Sequence, residues 1–294
     1  MPRPTIVGIG EVLWDMLPGG KQLGGAPANF AYHANALGAD GVVVSRVGDD
    51  APGREIRRRL ESLGLDVSYI ATDPDHPTGR VDVRLDTRGV PDYVICQDAA
   101  WDFLQADYRF FDLAGNADAV CFGTLAQRSP VSRDAIRALL RATRPACLRV
   151  FDINLRQSYY DRQIIHDLLG VSNVLKLNDA ELPVVARLFD LLGEADAVVN
   201  SLLDDYPLHV IALTRGPHGS VLFARGRISD HPGFPTEIAD TVGAGDAFTA
   251  ALVTGLLNGQ DLDRINAFAN RLAAYVCSRP GAMPVIPAEL VANR

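Results

Sequence analysis

The chain predicts an α/β protein whose doubly wound, mostly parallel sheet is flanked by helices: short, continuous, β-branched apolar runs recur along it, and helical patterns fill the intervals. The runs are IVGIG (6–10), GVVVSRVG (41–48), AVCFG (119–123), LRVFDIN (148–154), VLKLN (174–178) and LHVIALTRG (208–216). Continuous rather than alternating apolarity marks strands buried on both faces, the environment that crossover helices create around a parallel sheet. The helices carry matching punctuation: 27–37 opens on Pro27 and closes at Gly38, 52–63 opens on Pro52 and closes at Gly64, and 132–141 follows Pro130. Proline suits a first turn, where its missing N–H is not needed, and glycine takes the left-handed position that ends a helix.

Two segments break this rhythm. Residues 81–95 alternate on both sides of a turn-rich Asp-Thr-Arg-Gly and read as an antiparallel hairpin, while 11–25 reads as extended chain with a glycine turn. Together they predict a small sheet projecting from the main body, a lid formed by about 11–25 and 78–98 inserted in one domain spanning 1–294. No tandem repeat or linker divides the chain.

Composition excludes several partners. With 28 Lys and Arg against 36 Asp and Glu, the net charge of −8 argues against a nucleic-acid surface, and the arginines of REIRRRLE (54–61) are interleaved with glutamates as on a solvated helix. No apolar run approaches the roughly 18 residues of a membrane span. The N-terminal residues run straight into a strand pattern without the basic and apolar regions of a signal peptide. Cys96, Cys121, Cys147 and Cys277 lie far apart without Cys-x-x-Cys spacing, which suggests reduced side chains and a cytoplasmic location.

The chemistry concentrates at DTVGAGD (240–246), which leads into the apolar run AFTAALVTGLL. Glycines on either side of Ala244 permit a tight turn with consecutive exposed N–H groups, and the helix that follows points its positive end at that turn, so the turn favours an anion. Asp246 in the same first turn could take a proton from a hydroxyl held beside a phosphate, although a glycine-rich helix start with an aspartate facing the dipole fits the bare motif too. Other phosphate motifs are absent: Gly20-Lys21 lacks the preceding glycine of a P-loop, and GIGEVL (8–13) has Leu13 where a dinucleotide fingerprint needs its third glycine. The histidines are scattered, His33 among them, which disfavours a transition-metal centre.

Further polar clusters sit at predicted element ends. Gly24, Gly25 and Asn29 in GGAPANFAYHANALG (24–38) open an amphipathic helix, where glycines admit a ligand close to the backbone and the Asn29 amide both donates and accepts, as sugar hydroxyls require. Asp15 upstream could accept from the same ligand. Asp152, Asn154 and Arg156 alternate at the end of a buried strand, a usual place for site residues and also for local Asx turns. Asn178-Asp179-Ala180-Glu181 reads either as a capping box or as oxygen ligands for hydrated magnesium. Thr214-Arg215-Gly216-Pro217-His218-Gly219 could pass close to a nucleotide or simply turn into a hairpin.

At this order and spacing, GGAPANFA, LKLNDAE, TRGPHG and DTVGAGDAF resemble the ribokinase-like carbohydrate kinases, the PfkB family, over essentially the whole chain, and GEVLWDM, LGGAPANFAYH, TGRVDVRLD and AAWDF are most similar to bacterial fructokinases. The resemblance implies transfer of the γ-phosphoryl of MgATP to a small sugar, most closely fructose. It makes Asp246 the base, the N–H groups of Gly243, Ala244 and Gly245 the anion hole, and Arg156 a neighbour of phosphates or substrate. It gives the sugar to Asp15, Gly24, Gly25 and Asn29, the nucleotide to Lys176, Thr214, Gly216, Gly219 and Asn270, and water-bound Mg²⁺ to Asn178 and Glu181. K⁺ would lie beside Asp240 and the Val242 carbonyl, facing 278–283, and a homodimer would form through the lid, for which the valines of 81–85 are suited. A 2-keto-3-deoxygluconate kinase is the alternative if Arg84 or Arg156 reaches the sugar pocket, a nucleoside kinase is a further one, and a non-catalytic sugar sensor on the same fold is the reading from a different class.

Overall fold

The computed structural model describes residues 2–17, 19–85 and 91–292. The chain begins with β1 (Thr5–Ile9), β2 (Leu13–Leu17), β3 (Gly20–Gly24), α1 (Ala26–Ala36), β4 (Asp40–Gly48), α2 (Ala51–Ser62), β5 (Ile70–Asp73), β6 (Gly79–Leu85) and β7 (Pro91–Ile95). The middle holds α3 (Tyr108–Asn116), β8 (Ala119–Phe122), α4 (Pro130–Ala142), β9 (Leu148–Asp152), α5 (Arg162–Val171), β10 (Val174–Asn178), α6 (Leu182–Leu188) and α7 (Ala195–Asp205). It closes with β11 (Val210–Thr214), β12 (Ser220–Ala224), β13 (Arg227–His231), α8 (Ala244–Leu257), α9 (Leu262–Cys277) and α10 (Ala288–Ala292).

Nine strands form one sheet in the order β13-β12-β11-β10-β9-β8-β1-β4-β5. The seven from β11 to β5 pair in parallel, and β12 and β13 add an antiparallel edge. Because successive side chains of a strand point to opposite faces, each apolar run feeds two cores: Val120 and Phe122 of β8 join the layer of α3 to α7, while Ala119 and Cys121 join that of α1, α8 and α9. This double burial is what the continuous runs predicted. Two of the four arginines of α2 are ion-paired, Arg59 with Glu55 at 2.9 Å and Arg54 with Asp49 at 3.0 Å, as on a solvated helix. All four cysteines are free, and no helix among the described residues is long and apolar enough to cross a membrane.

The two irregular segments form a separate four-stranded sheet, β3-β2-β6-β7. β2 pairs antiparallel with β3 and parallel with β6, and β6 pairs antiparallel with β7 in the register Val81↔Ile95; the turn of that hairpin, 86–90, lies outside the described residues. Trp14 of β2 anchors this sheet to the body by donating from Nε1 to Pro52 O at the start of α2 (3.1 Å), with Lys21 and Arg59 stacked on its ring. Val81 is buried and belongs to the same apolar cluster as Ile95 and Trp101, so this valine is spent inside the subunit rather than offered to a second one.

One helix departs from expectation. The sequence suggests an amphipathic α1, yet every residue from Pro27 to Ala34 is buried, because α1 packs between the sheet and α8. It consequently reaches the start of α8 from within the body.

Candidate active site

The site grows from the N-terminus of α8. Gly243 caps the helix in the left-handed conformation (φ +79°) with no side-chain acceptor, so no capping group covers the first-turn N–H groups. A side chain could not replace it: a Cβ at Gly243 would stand 2.6 Å from the carbonyl oxygen of Ala282. Asp246, one turn in, remains partly accessible, and its Oδ2 accepts from Asn29 Nδ2 at 2.7 Å. Thus a residue from the start of α1 meets one from the start of α8 across 217 positions of sequence. Surrounding protein raises the Asp246 carboxyl to a pKa of about 6, with Asp152 adding to the effect and Asn29, Lys176 and Arg156 opposing it.

Behind the turn lies a buried ion pair. Lys176 Nζ of β10 donates to Asp152 Oδ1 of β9 at 3.0 Å, and Thr249 Oγ1 of α8 reaches both Asp152 Oδ2 (2.8 Å) and Gly245 O (2.9 Å). The ammonium stands 3.1 Å from where a Cβ on Gly245 would lie, so only glycine lets it approach the turn so closely. Burial by itself would lower the Lys176 pKa, but Asp152, Glu181 and Asp246 outweigh it and raise the value, keeping a fixed positive charge under the anion turn.

On the side facing the small sheet, Gly25 takes φ +113°, and a Cβ there would sit 2.5 Å from Glu11 O. Gly24 abuts the Asp15 carboxylate. Arg156 is exposed on the loop after β9, and its charge acts on Glu11, Asp15 and Asp246 together. Burial raises Asp15, with Arg156 opposing. Glu11 escaped the sequence reading. It is buried, burial raises it to about 7 against the backbone N–H groups of Glu11 and Ala26 and the charge of Arg156, and Asp246 pushes it further up. Its signal was GEVLWDM itself, which otherwise reads as plain extended chain. The Arg84 side chain lies outside the described residues.

The remaining residues have defined local work. Asn178 and Glu181 form a full capping box: Asn178 Oδ1 accepts from Glu181 N (2.9 Å) and Glu181 Oε2 from Asn178 N (2.8 Å), while Glu181 Oε1 accepts from Leu155 N (3.0 Å). Each carboxylate oxygen therefore keeps one lone pair, which fits a water of hydrated magnesium better than the metal itself. Among the described residues, no group of three or more His, Cys, Asp or Glu side chains could hold a metal. Asp240 ties its loop to the 281 segment, its Oδ1 accepting from Val242 N and its Oδ2 from Gly281 N at 3.0 Å each. Thr214 ends β11, and Gly216 and Gly219 follow it with φ of +55° and +78°. Gly219 has a structural reason as well, because the backbone of 231–233 passes where its Cβ would be. Asn270 is buried on α9 with its Nδ2 beside Ser220 Oγ (2.7 Å) and Asn266 O (2.9 Å), tying α9 to β12.

Residues 18–289 match the pfkB family of carbohydrate kinases. A fructokinase of Klebsiella pneumoniae is 32% identical over 297 aligned residues covering 95% of each chain. A Pyrococcus horikoshii sugar kinase solved in complex with ATP superposes with a TM-score of 0.80 at 26% identity, over 95% of this chain and 94% of that one. A Vibrio cholerae fructokinase double mutant with fructose, ADP and potassium bound superposes at 0.83 with 23% identity, over 99% and 98%. The fold is therefore the ribokinase-like one, and the protein is a carbohydrate kinase. The chain belongs to the pfkB family of carbohydrate kinases.

Proposed function

We propose that this sugar kinase is a fructokinase that uses Asp246 to deprotonate the accepting hydroxyl as the γ-phosphoryl of ATP is transferred. The observation that carries this reading is the 2.7 Å hydrogen bond from Asn29 to Asp246, which puts a hydroxyl-reading amide and a base in direct contact beside the anion turn. Asn29 Oδ1 is buried without a partner, an acceptor waiting for a hydroxyl. The first-turn N–H groups of α8 would take the developing charge, with Lys176 reinforcing them from behind. Bound with ATP, magnesium would neutralise phosphate charge, and Glu181 and Asn178 are placed to hold it through water. Thr214, Gly216 and Gly219 stand at the carboxyl end of β11, where a doubly wound sheet receives its nucleotide. Fructose is favoured because the Klebsiella relative is a fructokinase and the Vibrio one holds fructose, ADP and potassium.

A second reading has an observation of its own. Arg156 acts on all three carboxyls around the pocket, which is what a substrate carboxylate would need, and this favours 2-keto-3-deoxygluconate. Arg156 is solvent-exposed, however, so the neutral sugar remains the main proposal. The test is ATP-dependent turnover on fructose, 2-keto-3-deoxygluconate, ribose and adenosine. Fructose should lead in kcat/KM by at least about tenfold, equivalent to ~1.4 kcal/mol of transition-state binding. A lead for the keto acid that Arg156→Ala abolishes overturns the substrate assignment, and no turnover on any of the four, with binding intact, leaves the sensor reading standing.

A further inference from the structure

We infer that His33 is a positioning residue for the anion turn, holding through Ala282 the far wall against which Gly243 is folded. His33 lies four residues after Asn29, so the two share a face of α1. Asn29 reaches Asp246 on one side of the turn, and His33 Nε2 lies 2.9 Å from Ala282 O on the other. Ala282 is the residue whose backbone and Cβ crowd the space where a Gly243 side chain would be, at 2.6–2.7 Å. The next residues are fastened as well: Tyr32 OH donates to Pro284 O (2.9 Å), and Gly281 N donates to Asp240 Oδ2 (3.0 Å). The segment 281–284 is therefore clamped between α1 and the 240–246 loop, and α1 touches that loop both directly and through the clamp.

The chemistry of His33 fits this role. It is fully buried, and burial lowers its pKa to about 4 against the opposing bond to Ala282, so the ring is neutral. A carbonyl partner requires the proton on Nε2, which leaves Nδ1 buried with no partner. An apolar side chain would fill the same space without stranding a polar atom. The residue is therefore explained by the single bond that it donates to Ala282.

This inference rests on the reading of Asp246 and its turn as the catalytic site, and the experiment separates the two. Kinetics on the best sugar of the panel and on ATP are compared for the full chain, His33→Leu, His33→Gln and Asp246→Asn, with the melting temperature of each. His33→Leu should fold and lose about tenfold to a hundredfold in kcat, because a misplacement near 1 Å at a reacting centre costs up to about 10²-fold, while KM for the sugar stays within about twofold since Gly25 and Asn29 are untouched. His33→Gln, which keeps an amide donor, should recover most of that loss. The inference falls if His33→Leu turns over like the unmodified protein while Asp246→Asn is inactive, if the Gln and Leu variants are equally impaired, or if neither variant folds. An active Asp246→Asn overturns the site reading instead.

Discussion

As the proposed base, Asp246 faces two demands at the scale of the single residue: it must be ionised to accept a proton, and it must be buried deep enough in the turn, near Asp152, to meet the substrate. The second demand raises it to about 6, within reach of neutral pH and well above an ordinary aspartate. With a base that acts only when deprotonated, kcat/KM for the sugar should fall on the acid side of about pH 6, tenfold per unit, and level off above it. Asp246→Asn should lower kcat by roughly 10²- to 10⁴-fold and abolish that acid limb while leaving sugar and ATP bound. Glu11, raised to about 7 in the same pocket, is the competing source of such a limb, so Glu11→Gln serves as the control. A limb that survives in Glu11→Gln and disappears in Asp246→Asn belongs to Asp246, and the converse would transfer the assignment to Glu11.

Among the elements, the short stretch joining β10 to α6 shows why spacing alone left two readings of NDAE open. The capping box and the outer-sphere magnesium site need the same atoms, and in the structure the box is complete. Glu181→Gln keeps one acceptor but turns the other oxygen into a donor, which strands either Asn178 N or Leu155 N at a cost of about 1–3 kcal/mol. It should also raise the magnesium concentration for half-maximal activity, because an amide holds hydrated magnesium less well than a carboxylate does. A lower melting temperature with an unchanged magnesium requirement would reduce Glu181 to a cap. Six of the seven parallel strands were legible from sequence because double burial leaves an unbroken apolar signature; β5, the short IATD at the sheet edge, was not. β13 was not, since RISDH lies at the sheet edge, is mostly accessible and has no such run. Asn29 and the glycine turn could be singled out because each stands near an element end where particular residues suit the backbone, whereas Asp15 lies in the middle of β2. Glu11, and the bonds that Asp152 accepts from Lys176 and Thr249, were not legible, because their surroundings are assembled from β1, α1, β9, β10 and α8 and no local pattern encodes that closure.

For the molecule as a whole, the arrangement is two sheets with the proposed site between them, and the smaller sheet is attached to the body by the hydrogen bond from Trp14 to Pro52 O and by Leu13, Val81 and Ile95, which are buried in the core cluster of the main sheet. Closing the outer part of that sheet over a bound sugar would exclude water from the transferring phosphoryl. Each ligand that binds only the folded state should stabilise it by about 2.7 kcal/mol at a hundred times its Kd, a rise of about 5 °C in melting temperature for a chain of this size. Closure makes a more specific demand than binding. With fructose and a non-hydrolysable ATP analogue together, amide hydrogen exchange should slow in the strands of the small sheet, 11–17, 20–24, 79–85 and 91–95, more than with either ligand alone, while the central strands β9 to β11, already buried on both faces, should change little. If the small sheet exchanges at the same rate in all states although the melting temperature rises, the ligands bind without moving it, and the closure falls.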